Sequence, residues 1–269
     1  MATKQSTALA YLEGHAVFTL SEFMTEVDPT TAPSTRYTNL RNAVARGQAR
    51  RLTRGLYASN LGVYRGRTPN VALVASKAAP DAVLSYHAAL QALGVAHSAL
   101  RLVSFTSDSR VKRFDVDGYA FRRVPPPRAL AAAGNQLLAT EMVRSADQLV
   151  RVTSPERTLV DCLMRQDLGG GLEEVLRSVG SFLNLSAGAV TDYVAALRSP
   201  AAAARAGWVL ERGADQWHVR PGELSRLRDL AGTGPHDLRP AVRTGQAAFA
   251  TTWRLYVPRG LPYEEWLRS

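Results

Sequence analysis

Cysteine is almost missing from this 269-residue chain, and its single thiol, Cys162, excludes an internal disulfide and any multi-cysteine zinc site. A lone thiol of this kind is expected to be buried packing. The five histidines, His15, His87, His97, His218 and His236, are scattered, with no H-E-x-x-H spacing, so no metal and no cofactor are expected. No apolar run approaches the roughly 20 residues that span a bilayer, and the N-terminus lacks the charged-then-apolar order of a secretion signal. A cytoplasmic protein without membrane contact is therefore expected. Lysine is scarce too, confined to Lys4, Lys77 and Lys112, so the basic charge is carried by arginine.

The most informative gap is in acidic residues. Between Pro29 and Pro80 there is no Asp or Glu, while Arg36, Arg41, Arg46, Arg50, Arg51, Arg54, Arg65, Arg67 and Lys77 supply nine positive charges. The first 28 residues sum to −3 and the last 189 to +4, so this stretch accounts for most of the net +10. Charge concentrated in this way is an electrostatic footprint for a polyanion. Elsewhere, 46% hydrophobic and 21% charged residues are ordinary for a globular protein. The length favours two domains, a small head over residues 1–62 and a larger body over 63–269.

Periodicity and capping signals give the head three helices and a hairpin. Ser6 to Glu13 reads as a first helix with Leu9 and Leu12 inward. Thr19 and Glu22 have capping-box spacing ahead of a second helix from about Leu20 to Val27, ended by Asp28-Pro29. Pro33-Ser34 opens a third, running to about Arg46 before Gly47. Arg50-Arg51-Leu52-Thr53 and Leu56-Tyr57-Ala58 read as strands joined at Arg54-Gly55. This is the pattern of a winged helix-turn-helix. In the body, helices are expected over 70–79, 85–93, 154–164, 172–183, 187–197 and 201–211. Strands are expected over 102–106 and 114–124, with a hairpin turn at Asp117-Gly118. Tyr64 to Pro69 reads as a linker, and the tail from Gly213 as irregular with short segments around Trp217, Trp253 and Trp266. The fold class expected is α+β, a winged head followed by a mixed helix and strand domain.

At about 100° per residue the third helix places Tyr37, Leu40 and Val44 on one side, and Thr35, Thr38, Asn39, Asn42 and Arg46 on the other. An α-helix fits the major groove, where asparagine pairs with adenine and arginine with guanine. Asn39, Asn42 and Arg46 are the candidates for bases. Thr35, Arg36, Thr38 and Arg41 suit phosphates or support, and Arg50, Arg51 and Arg54 suit the backbone or minor groove from the wing. Double-stranded DNA is the partner these residues point to.

Catalytic readings find less. Gly169-Gly170-Gly171 has no following Lys-Ser or Lys-Thr and follows no strand, so it reads as a loop between helices, not a P-loop. Ser85-Tyr86-His87 are neighbours that cannot face one another on a helix, and Ser85 is read as a cap. Glu156 suits the start of its helix, with Arg157 and Asp161 as an i,i+4 pair. No catalytic residue is assigned. Two alternatives stand beside a DNA-binding regulator: a body that is a nuclease or nucleotide-processing enzyme delivered to DNA, and a body that binds a regulatory ligand.

Four stretches carry a family resemblance: Phe18 to Phe23, Arg50 to Tyr57, Leu84 to Leu90, and Thr153 to Asp161 with the later Gly170-Gly171-Leu172-Glu173-Glu174-Val175. The ending Trp253-Arg254-Leu255-Tyr256-Val257-Pro258 adds to them. The most specific is S-P-E-R-T-L-V-D followed by G-G-L-E-E-V. Together they resemble the AbiEi-type antitoxins of bacterial type IV toxin-antitoxin systems, which are also described as transcriptional regulators of viral defence systems. The resemblance implies a head that represses its own operon at inverted repeats in the promoter. It implies a body that counteracts a nucleotidyltransferase toxin encoded alongside, without requiring a stable toxin-antitoxin complex.

Overall fold

A capping box fixes the first landmark of the computed structural model, which describes residues 7–146, 148–239 and 247–268. The Thr19 hydroxyl accepts the Glu22 N–H at 3.1 Å and Glu22 Oε2 accepts the Thr19 N–H at 2.6 Å, which satisfies two donors that a helix start leaves open. Around it the chain runs α1 (Ala8–Gly14), β1 (Val17–Thr19), α2 (Leu20–Glu26), α3 (Pro33–Ala45), β2 (Ala49–Thr53) and β3 (Leu56–Ser59). Thr7 caps α1 through the Ala10 N–H; Ser6, expected within that helix, lies outside the described residues. Pro33 occupies the first turn of α3, where a missing N–H costs nothing. The β2–β3 turn is the two residues Arg54-Gly55, with Gly55 at φ +75°.

Two features of this N-terminal unit depart from the sequence reading. β1 pairs antiparallel with β3, giving a three-stranded sheet in the order β1-β3-β2; three residues are too few for an alternating pattern to be visible. The inward helix faces are also rotated. Leu9 is 51% and Tyr37 49% exposed, and their inward places are taken by Tyr11 on α1 and by Ala43 beside Leu40 on α3. Tyr11 meets Phe18 and Phe23 edge to face, at 5.5 and 5.4 Å between ring centroids, and Phe18 stacks on Tyr57 at 5.8 Å.

The sheet is buried on both sides. Phe18, Ala49 and Tyr57 face the helices of their own unit. Their neighbours Val17, Leu52 and Leu56 point the other way, into the core of the following six-stranded sheet. Period-two alternation thus gives one strand set two cores.

That second sheet is built from β4 (Val83–Leu84), β5 (Leu102–Thr106), β6 (Phe114–Val116), β7 (Tyr119–Val124), β8 (Thr140–Ser145) and β9 (Gln148–Thr153), in the order β6-β7-β5-β4-β9-β8. It is mixed: β5–β7 and β4–β9 are parallel, and the other pairs are antiparallel. Helices α4 (Val71–Ser76), α5 (His87–Ala92) and α6 (Arg128–Ala132) accompany it. The Asp117-Gly118 turn joins β6 to β7 as expected, whereas the β8–β9 hairpin was not foreseen. Ser85 does not cap a helix. Its hydroxyl bonds Thr106 across the sheet at 2.9 Å, and α5 starts two residues later, after Tyr86 at φ +58°.

The last part is helical: α7 (Pro155–Met164), α8 (Gln166–Gly169), α9 (Leu172–Gly180), α10 (Ala187–Leu197), α11 (Pro200–Arg212), α12 (Pro221–Ala231) and α13 (Tyr263–Trp266). A small sheet, β10 (His236–Asp237), β12 (Leu255–Pro258) and β11 (Ala247–Ala250), completes it. Trp208 and Trp253 lie at its centre, 0% and 1% exposed. The described part of the tail is therefore more regular than its glycines and prolines imply, because Trp253, Trp266 and Leu267 fill this core. The whole is a mixed α+β structure. Among the described residues no helix is long and apolar enough to cross a membrane.

Candidate nucleic-acid interface

α3 presents the face on which the charge argument depends. Leu40 and Ala43 anchor it, and the residues left outward are Thr35, Tyr37, Thr38, Arg41, Asn42 and, at the C-cap, Arg46. Thr38 spends its hydroxyl proton on the Ser34 carbonyl at 2.9 Å, so its lone pairs remain free to accept. Asn39 is half-buried at the edge of this face. Arg36 turns back instead: its Nη1 donates to the Met24 carbonyl and ties α3 to the end of α2, while its Nε has no partner among the described residues. In this geometry Arg36 sets the angle of the helix and does not project from it.

The β2–β3 hairpin divides its arginines. Arg51 is exposed, with Nε on the Thr53 carbonyl at 3.1 Å, within the irregularity that separates Arg51 from Thr53. Arg54 is exposed at the turn. Arg50 lies on the same side of β2 as Leu52 and reaches the body, where its guanidinium forks onto both carboxylate oxygens of Asp117. That contact lowers the Asp117 pKa and raises that of Arg50. Lys77 makes a second bridge, to Glu22 of the capping box. Burial opposes the charge on Glu22, but hydrogen bonds from Lys77 and Thr19 outweigh it, and its pKa is lowered.

Of the nine cations between residues 29 and 80, Arg36, Arg50 and Lys77 are thus engaged in holding the fold. Arg41, Arg46, Arg51, Arg54, Arg65 and Arg67 are exposed and form no ion pair with the described residues. Sequence reasoning missed this division because the partners of Arg50 and Lys77 lie 67 and 55 residues away.

The polar clusters of the body are buried and paired mostly among themselves. Arg157, 0% exposed, reaches Asp161 at 3.2 Å and the carbonyls of Gln136 and Leu138 at 2.8 Å each, while Tyr193 donates to Asp161 at 2.7 Å. Glu174 accepts from His87, Ser98 and Ser178 and from the backbone N–H groups of His97 and Ser98. Burial opposes its charge, yet the donors, Ser98 first, hold its pKa down. Arg157, Asp161 and Glu174 of the motif segments are therefore joints of the fold, while the neighbouring Glu173 is exposed and pairs with Arg177. An open cavity of about 680 Å³ lies beside Arg165, Arg205 and Trp266. Two of its cations are engaged, Arg165 on Asp167 at 2.8 Å and Arg205 on the carbonyls of Asp237 and Leu163 at 2.8 and 2.9 Å, while Arg239 lies exposed on its wall.

The fold is similar to that of the crystal structure of the RV2827C protein from Mycobacterium tuberculosis, with a TM-score of 0.58 and 16% identity over 94% of this chain and 92% of that one. At that identity the likeness concerns the fold alone. No protein-family model matches the chain, and no curated protein sequence does.

Proposed function

We propose that residues 1–62 form a winged helix-turn-helix and that the protein is a cytoplasmic, DNA-binding autorepressor. The observation that carries this reading is the set of six exposed, unpaired arginines on α3, the β2–β3 hairpin and the loop that follows, with no carboxylate in that stretch of chain. α3 is the recognition helix, with Asn42 and Arg46 directed at base edges and Thr38 supporting them, and with Arg41 on the phosphates. Arg51 and Arg54 form a short wing on the backbone. The resemblance to AbiEi-type antitoxins extends the reading: the target is an inverted repeat in the protein's own promoter, and the body neutralises a nucleotidyltransferase toxin encoded beside it.

Binding of the full chain to duplex DNA from upstream of its own gene tests this. With six phosphates neutralised, affinity should fall roughly 10³-fold between 50 and 200 mM salt. Arg51→Gln with Arg54→Gln should weaken binding to every duplex, whereas Asn42→Ala should mainly relax the choice among sequences. A flat salt response, or full affinity in the wing variant, refutes the reading.

A further inference from the structure

A second group of cations lies in the body, on the loop that leads into the strand bordering the N-terminal unit. Residues 101–151 sum to +4, while 81–100 and 152–269 together sum to zero, so beyond Pro80 the excess positive charge falls on this strand-forming stretch. Within it, Arg110, Lys112 and Arg113 are exposed on the loop between β5 and β6. Arg110 and Lys112 make no ion pair with the described residues, and Arg113 has only Asp115, at 4.0 Å with both side chains 67% exposed. A pair so open and so long competes weakly with a phosphate.

The fold fixes where this loop sits. β6 is an edge strand of the large sheet and β2 an edge strand of the small one, and the two are in contact. Arg50 on β2 grips Asp117 at the start of the β6–β7 turn. Arg113 is four residues before Asp117 along an extended strand, about 13 Å at roughly 3.3 Å per residue. Val111, between the cations, packs against the apolar cluster of the large sheet, which anchors the loop to the body.

We infer that Arg110, Lys112 and Arg113 form a second contact to the DNA backbone, so that the duplex held by the N-terminal unit is also gripped by the body. This inference rests on the DNA-binding role proposed above. The chemistry recognised is the phosphate chain of double-stranded DNA, independent of base sequence. It gives the Arg50–Asp117 bridge a purpose: it holds two cationic segments in one register, which a flexible linker would not do.

The test compares two variants of the full chain on a fluorescent duplex from upstream of the gene, across a salt series. One carries Arg110→Gln, Lys112→Gln and Arg113→Gln; the other carries Arg41→Gln and Arg46→Gln. All five positions are exposed, and unchanged urea midpoints would confirm that both variants fold. If all three body cations meet phosphates, the log–log salt slope of the first variant should fall by about 2 to 3, with binding weaker by on the order of 10²-fold near 0.1 M salt. Equal slope and affinity in the first variant, with weakened binding in the second, overturns the body contact and leaves the DNA-binding proposal standing. Wild-type behaviour in both variants overturns both.

Discussion

Replacing Arg157 by methionine should destabilise the protein more than any surface charge change. The guanidinium is fully buried and holds Asp161 together with two backbone carbonyls, those of Gln136 and Leu138. Methionine fills much of the space but leaves both carbonyls without this donor and Asp161 with Tyr193 alone. Burial already pushes the Asp161 carboxyl upward, and Arg157 is the foremost influence pulling it back. Breaking a buried pair from one side costs about 3–5 kcal/mol, a large share of the ~5–15 kcal/mol that keeps a domain folded. The wild-type arrangement is not perfect, since Arg157 Nη2 has no acceptor among the described residues, which places the expectation toward the lower end. Urea denaturation followed by tryptophan fluorescence reads this directly, because Trp208, Trp217, Trp253 and Trp266 all lie in the helical half that Arg157 braces. The double change Arg157→Met with Asp161→Leu should recover part of the loss, as apolar replacement of both partners removes the stranded charge. A loss below about 1 kcal/mol in the single variant, or no recovery in the double, would refute the view that this pair is a joint of the fold.

Two further expectations concern packing and acid. Gly207→Ala on α11 should destabilise by about 1–3 kcal/mol despite alanine's better helix propensity, because the new methyl would lie 2.0 Å from the Trp253 ring. Gly222→Ala on α12, where nothing lies within 4 Å, should stabilise by about 0.5–1 kcal/mol; equal effects at the two sites in urea denaturation would contradict the Trp253 packing. Asp81 accepts from the Ser107 and Ser109 hydroxyls and the Asp108 N–H. Burial opposes its charge, but these bonds prevail and its pKa is lowered. A lowered carboxylate stabilises the folded state above its unfolded pKa, near 3.9, and loses that contribution as pH falls through the folded value. The stability gap between wild type and Asp81→Asn should therefore be widest at neutral pH and close below about pH 4. A gap of constant size across that range would show that the charge of Asp81 is not what these donors hold.

Local chemistry was readable from the residues alone. The Thr19–Glu22 box, the Pro33 start of α3, the Arg54-Gly55 and Asp117-Gly118 turns, the Ser154-capped helix and its Arg157–Asp161 pair all arise from interactions within a few residues, and each formed where the spacing placed it. The absence of acid from residues 29–80 was equally visible, being a property of composition. What tertiary structure alone decided is the direction of each side chain and the use made of each charge. Tyr37 faces outward and Ala43 inward because the α3 axis is set by Arg36 on Met24 and by packing on Leu40, none of which a 3.6-residue period specifies. Arg50 and Arg54 are indistinguishable as letters, yet one is bound across 67 residues to Asp117 and the other is free at a turn. Long-range pairing depends on which strand edges meet, and a single sequence carries no local signal for that.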